Sequence, residues 1–147
     1  VSFDELFPIQ FLSGEQWQAI VPLLIMSLSS VLALLFSPLH EKGRLASFTA
    51  LAAGSVLALL SLTFSVPDAP VPVLGGVLII DRLSQIFSAL AVSAGLAAAF
   101  MTLGYDQREK LLAEVYALIG FAVAGMMILV STRDLMVLFI GLELMSL

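Results

Sequence analysis

No cysteine occurs among the 147 residues, and histidine occurs once, at His40. Disulfides, thiolate-held iron–sulfur clusters, Cys-based zinc sites and c-type haem attachment are therefore excluded from this segment. No Gly-x-Gly-x-x-Gly run is present to cradle a dinucleotide or flavin phosphate. Charge is also scarce: Asp, Glu, Lys and Arg together make up 12% of the chain, about half the ~25% of an ordinary globular domain. Six basic residues against eleven acidic ones leave a net charge of −5, the wrong sign for nucleic acid, whose binders present basic patches. What is present is apolar. Hydrophobic residues make up 61%, and mean hydropathy is +1.12. Such a chain cannot cover a soluble core with polar surface, nor can it stay disordered. It reads as an integral membrane protein in contact with the lipid bilayer.

The charges fall in clusters, and the uncharged gaps between them are 16–39, 45–66, 83–105 and 115–132. The shortest gap would rise about 27 Å as a helix at ~1.5 Å per residue, against a hydrocarbon core of ~30 Å. Backbone polar groups in lipid must be satisfied within the segment, so each gap is read as a helix. The fold class is all-α: a polytopic transmembrane bundle with helices at about 17–38, 45–66, 83–104 and 115–132, and the start of a fifth at 135–147. That fifth apolar run is still open at Leu147. The chain is accordingly expected to be the N-terminal part, over 1–147, of a single larger transmembrane domain, rather than one ending in a half-helix or re-entrant segment.

The opening residues are acidic and lack the basic and apolar regions of a signal peptide. Lys42, Arg44, Arg108 and Lys110 lie in the first and third connections, against Arg82 and Arg133 in the second and fourth. The positive-inside rule therefore sets those first and third loops in the cytoplasm and the N-terminus outside. In the second connection, Pro67, Pro70 and Pro72 stop the helix, and two short β-prone runs flank Gly75-Gly76. Paired glycines tolerate the positive φ of a tight turn, which predicts a small extracytoplasmic β-hairpin between helices 2 and 3.

Small residues recur at four-residue spacing: Ala46, Ala50, Gly54 and Ala58 in the second helix, and Ala91, Gly95 and Ala99 in the third. Lipid supplies no hydrophobic drive for helix association, so these faces predict close backbone packing. Ser27, Ser30, Ser55 and Thr63 are expected to bond their own carbonyls at i−3 or i−4 and not to line an ion path. His40, beside Glu41 and Lys42, reads as a solvated loop residue, and Trp17 as an interfacial anchor. Met126, Met127, Met136 and Met145 read as apolar filler.

Glu143 stands apart. It is the one ionisable residue embedded in an apolar run, nine residues beyond the Asp134 that marks the interface. That is about 14 Å along a helix at ~1.5 Å per residue, close to the middle of a ~30 Å core. An acid at that depth costs on the order of 2.5–3.5 kcal/mol, so it is expected to face protein or a watery cavity. Desolvation favours the protonated carboxyl and a nearby cation the ionised one, so a carboxyl poised between them can load and release a proton. A protonated Glu simply hydrogen-bonded to a neighbouring helix is the structural alternative. All six Lys and Arg lie outside the uncharged runs.

The stretches Glu114-Val115-Tyr116-Ala117-Leu118, Gly125-Met126-Met127, Ser131-Thr132-Arg133-Asp134-Leu135 and 139–147, with Asp81-Arg82-Leu83-Ser84-Gln85-Ile86-Phe87 leading the third helix, carry a family likeness. They resemble the antiporter-like membrane subunits of bacterial proton-pumping NADH:quinone oxidoreductase (respiratory complex I), in particular its subunit N. Sister subunits usually have Trp before the glutamate, where this chain has Leu142. The likeness is specific over 81–147 and rests on hydropathy and topology before that. It implies a full subunit of roughly fourteen helices in two inverted repeats with broken helices near the midplane. It also implies that Glu143 is the family's fifth-helix proton-path carboxylate, paired with a lysine from the missing C-terminal part. It further implies a translocase subunit, multi-pass in the bacterial cell inner membrane, that takes part in proton translocation alongside other membrane subunits. NADH, FMN, iron–sulfur clusters and quinone would belong to other chains, with no cofactor in this one. Two other readings stay open: a subunit of a related cation/proton antiporter or hydrogenase complex, and a structural membrane scaffold with no ion role.

Overall fold

Helix ends in this chain are set by its few polar residues, and helix bodies by the uncharged runs between them. The structure, a computed structural model, describes residues 13–38, 43–64, 66–103 and 109–147. Helix α1 (Gly14–Phe36) starts behind Ser13, whose backbone N–H donates to Gln16 Oε1 at 3.0 Å. It runs unbroken through Pro22. Helix α2 (Gly43–Phe64) returns alongside it. Strands β1 (Val71–Val73) and β2 (Leu78–Ile80) then form an antiparallel hairpin pairing Val71 with Ile80 and Val73 with Leu78. The turn between them holds Gly75 at φ +70° and Gly76 at φ +90°, a region that L side chains rarely enter. Helix α3 (Arg82–Leu103) begins with a reciprocal cap: Ser84 N–H donates to Asp81 Oδ1 at 2.7 Å, and Asp81 N–H donates to Ser84 Oγ at 2.9 Å. Helix α4 (Glu109–Ser131) is followed by α5 (Leu135–Ser146), where Asp134 Oδ1 accepts from Met136 N–H at 2.7 Å.

Helices α1, α2, α3 and the 114–131 stretch of α4 are each long and apolar enough to cross a membrane, which makes this a multi-pass membrane protein with a small two-stranded sheet. Helix α4 starts at Glu109, six residues before the expected 115. Charges delimit the part of a helix that can lie in lipid, not the helix itself, so Glu114 sits inside α4 at the edge of its span. Likewise α1 starts at Gly14 because Ser13 and Gln16 close its first turn. His40 and its charged neighbours Glu41 and Lys42 lie outside the described residues.

Helix α4 is the hub of the bundle, packing against α1, α2, α3 and α5. Tyr116, Ala117, Gly120, Val123, Ala124, Gly125 and Met127 are its buried residues. A Cβ at Gly120 would strike Ser30 Oγ of α1 and come within 2.9 Å of Leu51 Cδ1 of α2. A Cβ at Gly125 would lie 2.7 Å from the Gly141 carbonyl oxygen and 3.0 Å from the Met145 nitrogen of α5. Val123 of α4 in turn fills the notch left by Gly95 of α3. Phe48 stands edge-on to both Tyr116 and Phe100, with centroids 5.6 and 5.3 Å apart.

The small-residue faces are partly as expected. Gly54, Ala58, Gly95 and Ala99 are buried in the interhelical seams. Ala46, Ala50 and Ala91 are only half-buried, because the seam of α2 runs through Ser47, Leu51 and Ser55 instead. Ser27, Ser30, Ser55 and Thr63 donate to the carbonyls of Leu23, Met26, Leu51 and Leu60. Ser47 does something different. Its hydroxyl crosses to the Ala33 carbonyl of α1 at 2.7 Å, while Ser37 N–H turns to the Leu34 carbonyl at 3.2 Å.

Two outcomes follow from this packing. Replacing Ser47 by Ala removes the hydroxyl that donates across the α1–α2 seam to Ala33 and is expected to cost about 1 kcal/mol, read as a lower melting temperature of the full-length protein in detergent. Gly125→Val sets side-chain atoms against backbone atoms that cannot move aside, and overpacking of that kind costs typically 1–3 kcal/mol. The same melting measurement should show a larger loss for Gly125→Val than for Ser47→Ala.

Candidate functional site

Glu143 is carried by α5, a helix whose place is fixed at two levels. At its start the α4–α5 corner meets the hairpin: Leu78 bridges to Thr132, and Val77's carbonyl accepts from Arg133 N–H at 3.2 Å and from Thr132 Oγ at 3.2 Å. Val137, in the first turns of α5, packs on the cluster of Ala19, Ile20, Val73, Leu78 and Ile80. Half-way along, Gly141 lies backbone-to-backbone on Gly125. The remaining fixed point of the hairpin is α1, where Gln16 Nε2 donates to the Pro72 carbonyl at 2.9 Å.

That anchoring fixes both depth and facing. The two helices run antiparallel across the Gly125–Gly141 contact, so Glu143 lies level with the middle of the 114–131 span of α4. Residues 137, 141 and 144 form the side turned to α4. At 100° per residue, Glu143 falls on the side away from Gly141, together with Met136, Phe139 and Leu147. Glu143 is exposed, and so are Met136 (80%), Phe139 (62%), Ile140 (57%) and Leu147 (74%). Among the described residues no cation pairs with its carboxylate, and Ser146 Oγ donates only to its backbone carbonyl at 3.0 Å. The site is thus one carboxylate in an apolar helix face that no described element covers.

The other singled-out residues have structural places. Trp17 is half-exposed at the head of α1 (49%), as an interfacial anchor would be. Met127 is core, Met126 is half-buried, and Met136 and Met145 of α5 are exposed. Among the described residues no group of three or more His, Asp or Glu side chains could hold a metal ion.

Sequence reasoning passed over Thr132 and Val77, the pair that ties α5 to the hairpin. The signal was available in part: Ser131-Thr132-Arg133-Asp134 ends one apolar run and caps the next, which marks a tight corner. Nothing in a single sequence says that a carbonyl 55 residues earlier meets that corner.

No family profile matches the chain. Individual relatives do. It is 35% identical over 138 residues to NADH-quinone oxidoreductase subunit N of Ectopseudomonas mendocina (strain ymp), covering 87% of this chain and 27% of the relative. It is 31% identical to the subunit N of Rhodobacter capsulatus, covering 92% and 29%. It is also 38% identical over 68 residues to the F(420)H(2) dehydrogenase subunit N of Methanosarcina mazei, covering 46% of this chain and 14% of that one. The similarity therefore extends well before Asp81, into the part whose likeness rested only on hydropathy. The chain spans about a quarter of the length of the subunit N relatives it matches. A multi-pass bundle with this degree of identity over nearly nine-tenths of its length makes the chain a homologue of NADH-quinone oxidoreductase subunit N.

Proposed function

We propose that this chain is the N-terminal part of a membrane subunit of bacterial NADH:quinone oxidoreductase that takes part in proton translocation, with Glu143 as an intramembrane proton-path carboxylate. The observation that carries the reading is the similarity to subunit N proteins over most of the chain. In this reading the chain sits in the cell inner membrane with its N-terminus outside, among other membrane subunits. It holds no redox centre of its own. The Methanosarcina relative, named for a different electron donor, supports that division: a shared membrane segment serves complexes whose donors differ, so donor chemistry belongs to other chains.

The geometry of α5 supports the role of Glu143. A carboxylate turned to lipid at mid-depth would cost on the order of 2.5–3.5 kcal/mol, so the face it shares with Phe139 and Ile140 is one for protein or water to cover. The proposed cover is the C-terminal part of the same subunit, supplying a lysine. Moving the lysine in and out would then drive proton uptake and release at Glu143.

In the complete complex, Glu143→Gln should lower NADH-driven proton pumping by roughly a hundredfold or more, the lower end of what a positioned proton-transfer group contributes. Assembly should be unchanged, because Gln keeps size and hydrogen-bonding capacity. Pumping is measured in sealed vesicles and assembly on native gels. Normal pumping in a fully assembled Glu143→Gln complex would refute the proton-path role and favour a scaffold.

A further inference from the structure

We propose that Thr132 is a positioning residue: it clamps the α4–α5 corner to the hairpin and so fixes the depth and rotation of the helix that carries Glu143. Three observations converge on one carbonyl and its surroundings. Val77 O receives both Arg133 N–H and Thr132 Oγ, each at 3.2 Å, at the point where Leu78 bridges to Thr132. Thr132 Oγ also accepts from Asp134 N–H at 3.1 Å, its single hydrogen is shared between Val77 O and Asp134 O at 3.3 Å, and Asp134 is the cap of α5. One hydroxyl thus joins hairpin, corner and helix start. The hairpin itself is held elsewhere, by Gln16 of α1 and by the packing of Val73, Leu78 and Ile80 on Ala19 and Ile20.

The lever is short. Among the described residues, helix α5 packs on α4 and is held besides at this corner and by Val137 against the hairpin cluster. Loosening the corner leaves the Gly125–Gly141 contact as a pivot, and Glu143 lies two residues beyond that pivot. A shift at Thr132 therefore appears at Glu143 as a rotation about Gly141. The hairpin, at the end of the bundle that holds the head of α1, becomes the part of this chain that sets where the carboxylate points.

The effect on pumping rests on Glu143 being the proton-path group; the clamp itself does not, and the test separates them. In the complete complex, Thr132→Val keeps the branched shape and removes the hydroxyl, while Thr132→Ser keeps it. Hydrogen exchange followed by mass spectrometry reads the amides of Arg133 and Met136. Loss of one neutral hydrogen bond corresponds to a roughly fivefold faster exchange, expected in Thr132→Val and absent in Thr132→Ser. Protons moved per NADH oxidised should fall in Thr132→Val and recover in Thr132→Ser, at equal amounts of assembled complex. A purely structural residue would lower the amount and leave that ratio alone. Unchanged exchange in Thr132→Val would overturn the clamp. Faster exchange with an unchanged proton ratio, where Glu143→Gln has abolished pumping, would overturn its positioning role. If Glu143→Gln pumps normally, the proton-path reading fails and the exchange result alone decides the clamp.

Discussion

Close backbone approach along α4 is the constraint on which the rest of the bundle depends. Inside a membrane, lipid tails are as apolar as leucine, so helices gain little from hiding apolar surface and must gain from contact itself. Contact requires that something be small. Gly120 lets Ser30 and Leu51 in, Gly125 admits the backbone of α5, and Gly95 of α3 receives Val123. Each meeting lies on a different flank of one helix, and this is how α4 can hold four neighbours at once. The large apolar side chains left over point outward. Phe64, Leu135 and Met101 are 86%, 82% and 79% exposed, as suits residues whose surroundings are lipid or a neighbouring subunit.

Much of this was legible because the membrane simplifies the code. Uncharged runs gave the spans, since a charge inside lipid costs more than any local preference can return. The prolines and Gly75-Gly76 gave the hairpin, since few other sequences enter left-handed φ so readily. Seam composition was less legible. Ala46 and Ala50 share the four-residue spacing of Gly54 and Ala58, yet Ser47 and Leu51 occupy the seam beside them. A serine is small enough to pack and can also donate across the gap, as Ser47 does to Ala33, and a rule that counts only Ala and Gly overlooks it. The bond from Thr132 to Val77 was not legible at all, because one partner is a backbone carbonyl that every residue possesses.

The candidate site is legible for the opposite reason: it breaks the pattern. Glu143 is conspicuous in the sequence because nothing local accounts for an acid within Leu142-Glu143-Leu144. Its expected depth came from counting residues, and the Gly125–Gly141 contact sets it level with the middle of α4's apolar span. Its facing could not be counted, because it depends on which side of α5 meets α4, and Gly141 decides that only in three dimensions. The outcome, a carboxylate turned away from its own bundle, explains why no cation in the described part of the chain serves it.

Other charges in the described residues have work at helix ends. Asp81 and Asp134 satisfy the first N–H groups of α3 and α5, where an acid also meets the positive end of the helix dipole. Glu15 lies in the first turn of α1 for the same reason. Arg44 reaches 59 residues along the chain to donate to the Leu103 carbonyl at 2.6 Å, at the negative end of α3. Glu143 lies within the apolar run of α5 and caps nothing. Among the described residues no hydrogen bond or ion pair to its carboxylate accounts for it. An acid in an apolar helix, set in its facing by the Gly125–Gly141 contact, is the feature of α5 that local packing leaves unexplained.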